Sequence, residues 1–208
     1  DLPNALGRMA AKQGFRLVHF STDFVFDGRS SHPYSLSDEP NPLSVYGKSK
    51  LAGENALLRA GLPGLLILRT AWLFGPGRKN FVRTILSLAQ SREHLGVVHD
   101  QIGSPTYTVD LAKYSTILLD CQGAQGIFHV VNSGQASWCE LAAEAVNLAG
   151  LRCSINAITT DEYPVKAPRP PYSILSTEKY THWTGVTPRP WVQGLREYIF
   201  QYVDLEDD

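Results

Sequence analysis

Apolar positions along this chain form short continuous runs separated by longer segments with helical spacing. Phe15-Arg-Leu-Val-His-Phe20 is mostly apolar, carries no helical stripe and lies between Gly14 and Ser21-Thr22-Asp23, which predicts a buried strand of the parallel type. Leu65-Leu-Ile-Leu-Arg-Thr70 is a second such run, and shorter ones occupy 95–98 and 127–131. Helical segments are expected at 2–12, 46–60, 80–91, 108–120, 137–149 and 190–203. Phe81, Ile85 and Leu88 fall on one stripe of the third. In the second, apolar Leu51, Ala52, Leu57 and Leu58 leave Glu54 and Arg59 for solvent. Ser137 with Glu140 reads as a capping box, and Gly150 closes the helix that follows. Alternating strands and helices predict an α/β fold, a parallel sheet with helices on both faces and right-handed crossovers. A proline-rich stretch, 164–171, and the irregular pieces around it suggest a smaller carboxyl-terminal lobe.

Candidate chemistry gathers where the first strand ends. Ser21 and Thr22 would sit beyond its carboxyl end, the place where open α/β sheets bind their ligands. Tyr46 and Lys50, at the start of the second helix, share one face at a spacing of four. An ammonium near a phenol favours the phenolate, which otherwise forms near pH 10, and so makes the hydroxyl a usable proton donor and acceptor. The spacing alone also fits a surface pair, and Thr22 alone fits a capping hydroxyl. Trp72 reads as core packing or as a pocket wall. Asn80 reads as an N-cap or as a polar contact to substrate. Asp100-Gln-Ile-Gly-Ser-Pro-Thr106 has turn chemistry. Arg169, held between two prolines, presents a guanidinium suited to a phosphate.

Composition narrows the classes. The chain has 208 residues, 19 basic and 20 acidic, for a net charge of −1, so it carries no electrostatic footprint for nucleic acid. No apolar run reaches the length of a membrane span, and no signal peptide is visible. Cys121, Cys139 and Cys153 are odd in number and lack metal-type spacing, which suits reduced thiols in the cytoplasm. The six histidines are scattered, and no metal site is expected.

The series STDFVFDG, PLSVYGKSKLAGE, LRTAWLFGPG, NFV and DQIGSPT resembles the motif order of the extended short-chain dehydrogenases/reductases, and within them the dTDP-4-dehydrorhamnose reductases. The likeness runs over nearly the whole chain. It implies a partial Rossmann-type sheet, with residues 1–70 and 97–136 belonging to the nucleotide-binding domain and 71–96 and 137–208 mainly to a substrate lobe. The glycine-rich turn that cradles a dinucleotide pyrophosphate is absent, so the chain reads as the carboxyl-terminal portion of a longer enzyme that alone binds NADPH or NADH poorly and is inactive. The resemblance implies that Thr22, Tyr46 and Lys50 are catalytic and that Tyr46, Lys50, Thr70 and Ala71 meet the cofactor. It implies substrate contacts from Ser21, Thr22, Asp23, Phe24, Trp72, Asn80 and Arg169. Phe24 stands where the family usually has tyrosine. The expected partner is a nucleotide sugar, bound by a monomer or homodimer. The alternatives are another sugar-nucleotide epimerase or dehydratase of the superfamily, the dehydratases normally having an acidic residue next to the threonine and then a glutamate where Asp23 is here followed by Phe24, and a non-catalytic regulatory subunit like the methionine adenosyltransferase β subunit.

Overall fold

The computed structural model describes residues 2–163 and 167–203. The start of the proline-rich stretch and the outermost ends of the two expected domains lie outside the described residues.

A parallel three-stranded sheet organises the first half. Strands β1 (Val18–Thr22), β2 (Leu66–Thr70) and β7 (Gly126–His129) lie in the order β1-β2-β7, with Thr22 beside Thr70 and Arg69 beside both Ser21 and His129. Alternation along β2 sorts its side chains to two faces. Ile67 joins Ala10, Leu57, Leu62 and Leu65 under helices α1 (Leu2–Gln13) and α2 (Val45–Arg59). Leu66 and Leu68 join Leu111, Tyr114, Leu118, Phe128 and Tyr180 under α4 (Thr108–Asp120) and α6 (Glu178–Thr184). Both faces are therefore covered, and β2 is buried from end to end.

A second core forms around Phe74 and Tyr107. Helices α3 (Phe81–Ser91), α5 (Trp138–Leu148) and α7 (Trp191–Tyr202) converge on it with β4 (His94–Val98), which pairs in parallel with β9 (Ser154–Ile158). Short pairs β3 (Leu73–Phe74) with β6 (Thr106–Tyr107) and β5 (Ile102–Gly103) with β8 (Ala136–Ser137) connect this core to the sheet. Ser137 and Glu140 form the expected capping box, and Gly150 adopts a left-handed conformation after α5.

Three expectations change. The first strand is displaced to Val18–Thr22, because Arg16 spends its guanidinium on the carbonyls of Gly64, Leu119 and Ala124 and Phe15 is exposed. Glu54 is not at the surface: it is 1% exposed and ion-paired with Arg69, whereas Ala52 and Leu58 face solvent. Strand β9 and helix α6 are additions to the expected elements; the first has no buried position and no regular alternation, and the second spans only two turns.

Candidate active site

Strand β1 ends in three polar side chains with different fates. Thr22 Oγ1 accepts from the Phe24 amide at 3.2 Å, capping a 3-10 turn over Asp23–Val25, and donates to Asp23 Oδ1 at 3.0 Å. Asp23 Oδ2 is buried without a hydrogen-bond partner among the described residues, and so is Ser21 Oγ. Burial pushes the Asp23 carboxyl up to about 6, and the nearby Ser173 hydroxyl, then the Thr22 hydroxyl and the local backbone amides, only partly offset it. At the end of β2, Thr70 Oγ1 is likewise buried and unpartnered among the described residues.

Helix α2 begins opposite these groups. Ser44 caps it, accepting from the Gly47 amide at 3.1 Å. Gly47 sits so close to the Phe24 carbonyl and Pro42 that an added Cβ would collide with both, which fixes the helix against the 3-10 turn. Tyr46 thereby leans edge-on to Phe24, ring centroids 6.2 Å apart, with its ring half open to solvent. One turn on, Lys50 is half-buried and donates to the Phe20 carbonyl of β1. Burial lowers the Lys50 pKa, and the Glu54 carboxylate works against that shift.

A cavity of about 340 Å³ joins these elements. Ser21, Thr22, Asp23 and Phe24 line it from β1 and the following turn, Tyr46 from α2, Thr70, Ala71 and Trp72 from β2 and beyond, and Arg169 from the proline-rich segment. Lys50 lies behind Tyr46, on the Phe20 carbonyl. Asn80 is the exception among the expected substrate contacts, and it is not brought to this cavity. Its Oδ1 accepts from the Arg83 amide as the N-cap of α3, and its Nδ2 donates to Gly75, Arg78 and Tyr198. The capping role absorbs its hydrogen-bonding capacity.

Trp72 has φ of 45°, the one non-glycine residue with positive φ among the described residues. Its indole lies flat on Trp138, a cavity-lining residue that the sequence did not single out. The Ser137 capping box placed Trp138 at the first position of α5, but nothing local shows that this position meets Trp72. Trp138 Nε1 donates to Gln101 Oε1 at 3.2 Å, which ties the Asp100–Thr106 loop to the cavity wall. Trp138, Gln101 and Arg169 also line a second compartment of about 370 Å³ with Phe81 and Tyr163. Arg169 borders a third, of about 420 Å³, formed by Phe24, Leu43, Val45 and Tyr46.

Two buried orphan hydroxyls and an unpartnered carboxylate oxygen at the carboxyl ends of parallel strands, beside a lysine, suit a ligand rich in hydroxyl and carbonyl groups. Thr70, Ala71 and Tyr46 line the cavity with Lys50 a turn behind, so these are residues that could hold the nicotinamide end of a dinucleotide. Among the described residues no three His, Cys, Asp or Glu side chains converge as a metal-holding group.

The family described as "RmlD substrate binding domain" matches residues 1–203. The chain is 45% identical over 186 residues to the spore coat polysaccharide biosynthesis protein SpsK of Bacillus subtilis, covering 89% of this chain and 64% of that protein. It is 41% identical over 202 residues to the dTDP-4-dehydrorhamnose reductase of Aggregatibacter actinomycetemcomitans, covering 92% and 68%. The crystal structure of dTDP-4-dehydrorhamnose reductase from Bacillus anthracis in complex with NADP superposes with a TM-score of 0.91 at 34% identity, covering 96% of this chain and 70% of that one. The chain thus spans about two thirds of the length of these relatives. With a family match over nearly every residue and the resemblance carried by the same motifs that line the cavity, the chain belongs to the RmlD substrate binding domain family.

Proposed function

We propose that the chain is the substrate-binding and proton-donating portion of an NADPH-dependent reductase that converts the C4 keto group of dTDP-4-dehydro-L-rhamnose to the alcohol of dTDP-L-rhamnose. The observation that carries this is the shared cavity: Thr22 and Tyr46, from different elements, face one space with Lys50 a turn behind. NADP bound in the Bacillus anthracis relative supports the cofactor, and the reductase named among the relatives supports the substrate.

Bound nicotinamide supplies the hydride. Tyr46 donates its hydroxyl proton to the carbonyl oxygen, removing charge as it develops, an effect worth about 10²–10⁴-fold in rate. Lys50, a turn behind Tyr46, would hold the nicotinamide ribose hydroxyls. Thr22 hydrogen-bonds the same carbonyl oxygen; its hydroxyl donates to Asp23 Oδ1, and rotation about Cβ–Oγ1 redirects it. Ser21 and Asp23 add buried polar atoms that a sugar satisfies. Phe24 contributes an apolar wall. Arg169, common to all three compartments, is placed for the diphosphate, and the aromatic compartment beyond Trp138 suits the nucleotide. The sheet and its helices form the cofactor side, and the core around Phe74 and Tyr107 the substrate lobe. Three free thiols support a cytoplasmic site of action, and no helix among the described residues is long and apolar enough to cross a membrane. The active species is a monomer or homodimer.

The test is NADPH oxidation by the full-length gene product supplied with dTDP-4-dehydro-L-rhamnose, with the sugar product identified by NMR. Formation of dTDP-L-rhamnose is expected. A C4 epimer, a dehydrated sugar or no turnover would overturn the reading.

A further inference from the structure

Helix α2 carries Tyr46, Lys50 and Glu54 at four-residue intervals, hence along one face. The first two serve the cavity. The third receives a two-pronged ion pair from Arg69, Nε to Oε1 at 3.0 Å and Nη2 to Oε2 at 2.7 Å, with both side chains buried. Arg69 directly precedes Thr70-Ala71-Trp72, the cavity wall contributed by β2, and lies beside Ser21 in the sheet. Its guanidinium also covers the Phe26 ring at 5.2 Å. The fork therefore ties the third turn of the Tyr/Lys helix to the strand whose end forms the pocket.

Charge gives the pair a second consequence. Lys50 sits on the Phe20 carbonyl, where burial works against its charge, and Glu54 is the group whose field favours the ammonium. His19, next to Phe20 on β1, has its pKa lowered first by burial and then by Lys50, so it is held neutral and adds no charge to the site. Stability alone is a weak reason for such a pair, because desolvating two charges costs several kcal/mol and well-packed apolar residues of similar volume often hold a fold equally well.

We propose that Glu54, seated by Arg69, is a positioning residue of this site: the fork ties the Tyr46–Lys50 face of α2 to β2, holding Lys50 beside the Phe20 carbonyl, and sets a carboxylate one turn from that ammonium. The proposal rests on the reductase reading above.

The test compares wild type, Glu54→Gln and the double variant Glu54→Met/Arg69→Met in the full-length gene product, measuring thermal melting, KM for both substrates and the pH profile of kcat/KM for NADPH. Glu54→Gln keeps the shape and a hydrogen bond to Arg69 while removing the charge. Its alkaline limb is expected to move to lower pH by about one unit and its KM for NADPH to rise about tenfold. KM for the sugar nucleotide should stay within about twofold, since the substitution acts through Lys50. The double variant, which removes the Arg69 charge together with the carboxylate, is expected to melt within a few degrees of wild type and to show the rise in KM for NADPH without the shift of the alkaline limb. A wild-type pH profile and NADPH KM in Glu54→Gln would overturn the proposal, as would wild-type kinetics in a folded double variant. If the double variant does not fold, Glu54→Gln decides. Failure of wild type itself to oxidise NADPH would overturn the reductase reading instead.

Discussion

The indole rings of Trp72 and Trp138 lie 3.5 Å apart between centroids and within 3° of parallel. Trp72 reaches this position from a left-handed backbone conformation, φ 45°, which costs a non-glycine residue on the order of 1–3 kcal/mol and tends to persist at functional sites. Gln101 holds the Trp138 N–H at 3.2 Å, and Phe81 approaches its ring with centroids 4.6 Å apart. The pair forms the wall between the Thr22–Tyr46 cavity and the compartment beyond it. One face of Trp72 is thereby covered, and the indole is a preset wall of the cavity rather than a free ring.

Trp138→Ala should raise KM for the sugar nucleotide about tenfold and leave KM for NADPH unchanged, since a stacked aromatic pair contributes about 0.5–1.5 kcal/mol beyond its buried area. Steady-state kinetics with each substrate varied in turn checks this. Circular dichroism offers an independent check: the coupled indole signal of the wild type should vanish in Trp138→Phe.

Gly103 lies under the same pair. A Cβ there would stand 2.5 Å from Trp72 Cε2 and 2.6 Å from its Nε1. Gly103→Ala should displace Trp72 and reproduce the loss of sugar-nucleotide affinity, read by calorimetry with the substrate's nucleoside diphosphate sugar product. Unchanged affinity would show that the stack is not part of the binding wall.

Asp23 has a pH signature of its own. Its carboxyl is raised from 3.8 to about 6 by burial, so the folded protein holds a proton that the unfolded chain releases. The associated stability is fully present below pH 3.8 and is lost as pH rises through about 6. Asp23→Asn should therefore melt higher than wild type at pH 7 and show little gain at pH 4. His129, pushed down to about 3 chiefly by burial and next by Arg69, acts in the opposite direction on acidification, but it is common to both proteins and cancels in the comparison. An equal gain at both pH values would remove ionisation as the cause.

The second core depends on Arg189, which reaches Asp110 at 2.8 Å and Glu197 at 2.7 Å. Asn132 reinforces the knot, its Nδ2 donating to Asp110 and to the Arg189 carbonyl. Arg189→Ala would leave a buried Asp110 short of its cation, while the partly exposed Arg189 limits the loss. Chemical denaturation should show a cost of about 2 kcal/mol. A change within error would place the anchoring of α7 in its apolar contacts alone.

The sequence made the sheet legible because β2 is an unbroken apolar run ending in Arg69-Thr70, and the helices legible because their caps are local: Ser44, Asn80 and the Ser137–Glu140 box all act within a turn. Thr22, Tyr46 and their cavity neighbours were readable from motif order. What was not readable depends on partners distant in sequence. Glu54 looks like a solvated helix residue until Arg69 reaches it across 15 positions. Trp138 looks like ordinary packing until the chain folds it onto Trp72. Asn80 had two local readings, and only the acceptor and donor geometry of the N-cap separates them. Arg16 interrupts an apolar run, and three distant carbonyls explain why the strand begins after it.

The most direct test of the central claim is hydride transfer by the full-length gene product carrying Tyr46→Phe, measured in a single turnover with both substrates saturating. The phenyl ring keeps the contact with Phe24 and removes only the proton that the carbonyl oxygen requires. The rate should fall by at least about 10²-fold with dissociation constants for both substrates unchanged. A rate within about threefold of wild type would contradict Tyr46 as the proton donor and with it the account of the cavity.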